Sequence, residues 1–175
     1  MDRTINRLLN LPVLSRIRRN HALEHATIHV LSANGPRTTL IGRADARGFF
    51  LYGEVPTERV AQAAAEALDR LRRGEHQLAI HPNCGTNFLT AGLLAGSAAF
   101  FALLGERKED AWQDRLGRLP AAILLATLAL LVAQPLGLEA QRHLTTRSDP
   151  GELEILAIRR RAAGDRTIHR VVTRS

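Results

Sequence analysis

The chain has 175 residues, with 24 basic against 17 acidic side chains and a formal charge of +7, a length that suits one domain of ordinary size. Its single cysteine excludes an internal disulfide and fits a reducing compartment. Five Phe, one Tyr and one Trp leave few rings to stack on bases, so the arginine excess reads as attraction to anionic lipid headgroups rather than to nucleic acid.

Met1 to Arg19 lacks the uninterrupted apolar core of a signal peptide. Leu8, Leu9, Leu11, Val13, Leu14 and Ile17 are interleaved with Arg7, Arg16, Arg18 and Arg19, the pattern of a basic amphipathic helix in a membrane interface. Asn10 is a cap candidate with Pro12 just inside, and the helical pattern runs to about Ala33, where Asn34-Gly35-Pro36 stops it. Within it stands HALEH, residues 21 to 25. Helical spacing puts His21, Glu24, His25, Ile28 and His29 on one stripe. Polar groups on a packed stripe cost about 1–3 kcal/mol each if unpartnered. A divalent metal is one partner: imidazoles four apart can both ligate zinc, and a neighbouring glutamate can act as base on water. The competing reading is a solvated histidine face with Glu24 in ordinary ion pairs.

Two short strands follow, near Thr38 to Arg43 and Gly48 to Gly53, joined at Asp45-Ala46-Arg47. Pro56-Thr57 opens a second helix with Val60, Ala64, Ala67, Leu68 and Leu71 on one face, and Gly74 closes it. Gln77 to Ile80 reads as a third strand. HPNCGTN, residues 81 to 87, then sets His81 and Cys84 three apart on a turn, and imidazole and thiolate suit zinc or another borderline metal. His29, His76 and His169 read as surface or packing histidines.

No charged residue occurs from Pro82 to Gly105 or from Leu119 to Leu138. Each run exceeds or matches the roughly 20 apolar residues that cross a bilayer as a helix. Glu106 to Arg118 between them is densely charged, so the two form a transmembrane hairpin with helices at about 86–105 and 119–138. Arg70, Arg72, Arg73, Arg142 and Arg147 flank it against four bases in the loop. This bias, with the reducing compartment, places both termini in the cytoplasm of a multi-pass inner-membrane protein. Gly92 and Gly96 permit a close helix contact, within the hairpin or with a second copy. Gln141, His143, Thr145 and Thr146 leave the hairpin on the side of HPNC and could orient ligands as outer partners; capping the helix end is the alternative. Leu153 to Arg159 and Arg166 to Val172 read as two last strands around Ala163-Gly164-Asp165.

The chain resembles the YqhQ-like bacterial membrane proteins, a family of unknown function described as predicted metal-dependent enzymes. Its H-G-A-E-H-K-T-I motif is similar to His21-Ala22-Leu23-Glu24-His25-Ala26-Thr27-Ile28, and its H-P-R-C-G-T-S-F motif to His81 through Phe88. A third, near G-L-W-L-Q-x-L-T-T-x-E-P, is similar to Gly137 through Thr146. The chain is shorter, has fewer membrane helices and departs at Arg147-Ser148-Asp149-Pro150, which makes it a compact relative. The resemblance implies metal dependence.

The expectation is therefore an α+β membrane protein: a small cytoplasmic α+β body of about five strands and two helices, with the hairpin inserted between its third and fourth strands. Residues 1–81 form the amphipathic helix and α+β region, 82–138 the hairpin, and 139–175 the strands completing the body. His21, His25 and Cys84 are the expected metal ligands, with His81 as a fourth or an alternate and Glu24 as base. The chemistry expected is metal-assisted hydrolysis at the membrane interface. The rivals are a structural metal and a metal-free adaptor that recruits a cytoplasmic partner.

Overall fold

A computed structural model describes residues 3–33, 39–104, 116–163 and 166–175. The expected helix stop at Asn34-Gly35-Pro36, the charged loop up to Arg115 and the Gly164-Asp165 turn lie outside the described residues. In chain order the elements are α1 (Arg3–Leu9), α2 (Pro12–Ala33), β1 (Ile41–Asp45), β2 (Gly48–Tyr52) and α3 (Thr57–Arg72). A 3₁₀ turn (His76–Ala79), α4 (Gly85–Leu103), α5 (Leu119–Ala140), a π turn (Gln141–Thr145), β3 (Glu154–Ala163) and β4 (Arg166–Arg174) complete them. They divide into two compact units: residues 1–81 with 142–175, and residues 82–141.

The first unit is an α+β body. Its sheet runs β1-β2-β4-β3, antiparallel throughout. Asp45 ends β1 and its carboxylate accepts the Arg47 N–H at 2.7 Å, which fixes the two-residue turn into β2. Phe49, Leu51 and Val171 on the inner face meet Leu23, Val30 and Leu31 of α2 and Val60, Ala67 and Leu71 of α3 in one core. The α3 face matches the sequence expectation: Val60, Ala64, Ala67, Leu68 and Leu71 are all buried. From Ala22 to Ile28 every residue of α2 is buried, because sheet, α3 and the 3₁₀ turn all pack on that helix. A helix enclosed in this way must satisfy its polar side chains within the protein. Asn20 does so as a donor to the Asp45 carbonyl at 2.8 Å and an acceptor from the Thr173 hydroxyl at 2.7 Å, tying α2 to β1 and β4.

The strand expected at Gln77 to Ile80 is not one. Leu78 N–H donates to Glu75 O and Ile80 N–H to Gln77 O, closing a 3₁₀ turn. The Ala79 and Ile80 carbonyls then face side chains of α2, so a short apolar run was claimed by tertiary contacts instead of a sheet ladder. Among the described residues the sheet therefore has four strands, not five; the hairpin follows the second strand, not the third; and the body has three helices, not two.

The second unit is α4 packed on α5. Both are long and apolar enough to cross a membrane. No residue of α4 is buried, and only Ala122, Ala133 and Gly137 of α5 are; Leu89 is 74% exposed. The close approach of the pair is at Gly137, where a Cβ would lie 2.6 Å from Asn87 Oδ1. Asn87 is itself held by the Gln141 side chain, whose amide donates at 2.7 Å. A Cβ on Gly92 or Gly96 would meet nothing within 4 Å among the described residues, so the small-residue pair does not serve this contact.

Candidate metal centre

Three histidines of the α2 stripe and His81 form one group within the body. The rings of His21 and His25 lie 4.3 Å apart, those of His25 and His81 5.7 Å, and those of His29 and His81 5.0 Å. Main-chain carbonyls hold three of them. His21 Nδ1 pairs with Thr145 O at 2.9 Å, His25 Nδ1 with Ala79 O at 2.7 Å, and His29 Nε2 with Ile80 O at 2.8 Å. A carbonyl only accepts, so each of these nitrogens carries the proton. The ring nitrogens opposite these bonds are Nε2 of His21 and His25 and Nδ1 of His29. Burial first, and then the neighbouring His21 ring, pushes His25 down to about 3. Burial and His29 lower His81 as well. His25 and His81 are thus held toward the neutral form, in which an imidazole can ligate a metal.

His29, read from sequence as a surface or packing residue, belongs to this group. Its signal was already present: it is eight residues from His21 on the same stripe. His169 stands apart, buried on β4, with its Nε2 3.2 Å from the Thr57 hydroxyl. His76 lies on the 3₁₀ turn.

Glu24 is 4% exposed and extends toward the sheet. A Cβ on Gly42 of β1 would meet its Cγ at 2.6 Å, with Cδ and Oε1 nearer still. The absence of a side chain at Gly42 is what admits the carboxylate. Cys84 is the N-cap of α4; its Sγ accepts the Thr86 N–H at 3.4 Å and is buried.

The residues after α5 act mainly through their backbone. Besides Thr145 O on His21, the His143 and Thr146 carbonyls each accept from Arg18 Nη2 at 3.0 Å, and Arg147 N–H donates to Arg18 O. Arg18 therefore clamps both sides of the carbonyl that orients His21. Gln141 uses its side chain, on Asn87.

Imidazoles oriented by carbonyls, two of them in ring contact four residues apart on a helix, suit zinc or another borderline divalent ion. Protein hydrogen bonding has fixed the tautomers such an ion needs, so the residues present fit the group.

Residues 16–158 match the profile of a domain of unknown function, DUF6391. An uncharacterised protein of Picosynechococcus sp. is 38% identical over 144 residues, which is 74% of this chain and 65% of that protein. The chain thus spans just under two thirds of that relative's length. No solved structure matches.

Proposed function

We propose, for a chain that belongs to the DUF6391 family, that it is a membrane-anchored metalloprotein in which His21 and His25 hold a divalent transition metal, zinc foremost, through Nε2. One observation carries this reading: both rings spend Nδ1 on a main-chain carbonyl while sitting in contact. Cys84 and His81 are the remaining donors in the proposal, supported by their chemistry and by the three-residue spacing of HPNC. The exposed apolar sides of α4 and α5 support an inner-membrane hairpin with both termini in the cytoplasm, and the basic excess supports contact with anionic headgroups. The three motifs support a distant link to the YqhQ-like proteins.

When bound, such an ion polarises a carbonyl or phosphoryl oxygen and makes a water a better nucleophile. In the hydrolytic form of the proposal Glu24 takes the proton, as the carboxylate within the histidine stretch. The second form is a structural ion with no open position, which the number of imidazoles favours. Elemental analysis of detergent-purified chain should find about one zinc per chain, lost in His25→Ala and in Cys84→Ser. Metal-free wild-type protein after growth in zinc would sink the proposal. Glu24→Gln separates the two forms: hydrolase activity disappears with the metal retained, whereas a structural ion leaves every measured function unchanged.

A further inference from the structure

Among the described residues of the α+β body, seven large apolar side chains are exposed, and four of them fall between Leu8 and Leu14. Leu8, Leu11, Val13 and Leu14 are 40–58% exposed. Further along α2, by contrast, every residue from Ala22 to Ile28 is buried. The middle of this helix packs into the body, while its first turn and the end of α1 project from it as an elbow. Aliphatic side chains gathered on one exposed patch mark a contact surface.

Charge and chain position say what covers it. From Arg3 to Arg19 there are five arginines and no acidic residue, which suits an anionic surface. Arg18 Nη1 donates to the Leu9 carbonyl at 3.4 Å, and its Nη2 to the His143 and Thr146 carbonyls at 3.0 Å. One guanidinium thus ties the end of α1 to the stretch that carries Leu144, itself exposed. Leu144 stands four residues beyond Ala140, where α5 ends, and four residues of chain reach about 14 Å at most. In the proposed hairpin α5 spans a bilayer, so this link keeps the elbow near the headgroup layer. We infer that the elbow inserts into the anionic leaflet of that bilayer, its aliphatic side chains among the upper acyl chains and its arginines at phosphates. The inference rests on the hairpin reading and is independent of the metal. It bears on the histidine stripe nonetheless: His21 follows Leu14 by seven residues, about 10 Å along the helix axis. An anchored elbow sets the distance of those imidazoles from lipid.

The test is tryptophan fluorescence of the full chain in phosphatidylcholine vesicles, with and without phosphatidylglycerol. Trp112→Phe removes the one native tryptophan. Leu11→Trp and Leu14→Trp then report on the elbow, Leu131→Trp on α5, and Gln62→Trp on an exposed position of α3. Lipid brominated high on its acyl chains quenches from the bilayer, and acrylamide from water. In phosphatidylglycerol vesicles both elbow tryptophans should be quenched about twofold or more by brominated lipid, and Gln62→Trp by acrylamide alone. Arg7→Glu should reduce the lipid quenching at the elbow. Elbow tryptophans open to acrylamide while Leu131→Trp is lipid-quenched overturn the inference and leave the hairpin standing. Shielding from both quenchers, as a second copy or another protein would give, overturns it too. Equal quenching with and without phosphatidylglycerol overturns the choice of an anionic leaflet. Lipid quenching at the elbow but not at Leu131→Trp keeps the elbow as a peripheral contact and overturns the hairpin instead.

Discussion

Gly42→Ala puts the packing of Glu24 to a direct test. The added methyl would sit 2.6 Å from the Glu24 Cγ, with Cδ and Oε1 closer, where non-bonded carbons prefer about 3.5–4.0 Å. An exposed glutamate would swing aside, but this one is 4% exposed and enclosed by α2 and β1. Overpacking at such a site costs about 1–3 kcal/mol, or a fall in Tm of about 2–12 °C for a chain of this size. The sign should reverse in a Glu24→Ala background. With the clash gone, alanine is about 0.5–1 kcal/mol better than glycine in a strand interior, so the second substitution becomes stabilising. Thermal unfolding of the four proteins in detergent, followed by circular dichroism at one pH, completes the cycle. An equal loss from Gly42→Ala in both backgrounds would mean that Glu24 does not occupy this space, and the account of the α2–β1 contact would be wrong.

Acid should destabilise the metal-stripped protein through His25. Its folded value, about 3, lies below the ordinary 6.5, so the unfolded chain takes up the proton first; the contribution is complete above about pH 6.5 and is lost as pH falls toward 3, by about 2 kcal/mol at pH 5. Melting curves from pH 8 to 5 should show this slope in wild type and a shallower one in His25→Ala, where His81 and His169, also lowered by burial, still contribute. Arg18→Met removes the donor to the His143 and Thr146 carbonyls and should weaken zinc binding about tenfold or more through the loosened Thr145 carbonyl, measured by chelator competition; an unchanged affinity would refute the clamp. Asn20→Leu strands the Thr173 hydroxyl and the Asp45 carbonyl at a cost of about 1–3 kcal/mol, and adding Thr173→Val should recover part of it in the same unfolding assay.

The apolar helices were legible because lipid-compatible runs are defined by what they lack: no charge interrupts them. The histidine stripe was legible because helical spacing is geometric, and the α3 face for the same reason. Gln77 to Ile80 was misread because a four-residue apolar run carries no period of its own; its conformation is decided by imidazoles more than fifty residues away in sequence. The partners of the histidines were only half legible. Sequence singled out Thr145 and Thr146 as residues that could orient ligands, and the bonds to His21 and Arg18 come from their main-chain carbonyls. Residue type says little about where a carbonyl points. Asn20 and Gly42 gave no signal at all, since each acts through neighbours distant in sequence.

That three rings are aimed by peptide oxygens at positions 79, 80 and 145 sets an unusual tolerance. Every amino acid has that oxygen, so side chains there can drift among homologues while the imidazoles keep their orientation, and a scan for invariant positions would pass over them. Adding or removing a single residue between α3 and His81, or between α5 and Arg147, would instead rotate those oxygens away. The centre is forgiving of spelling and strict about spacing.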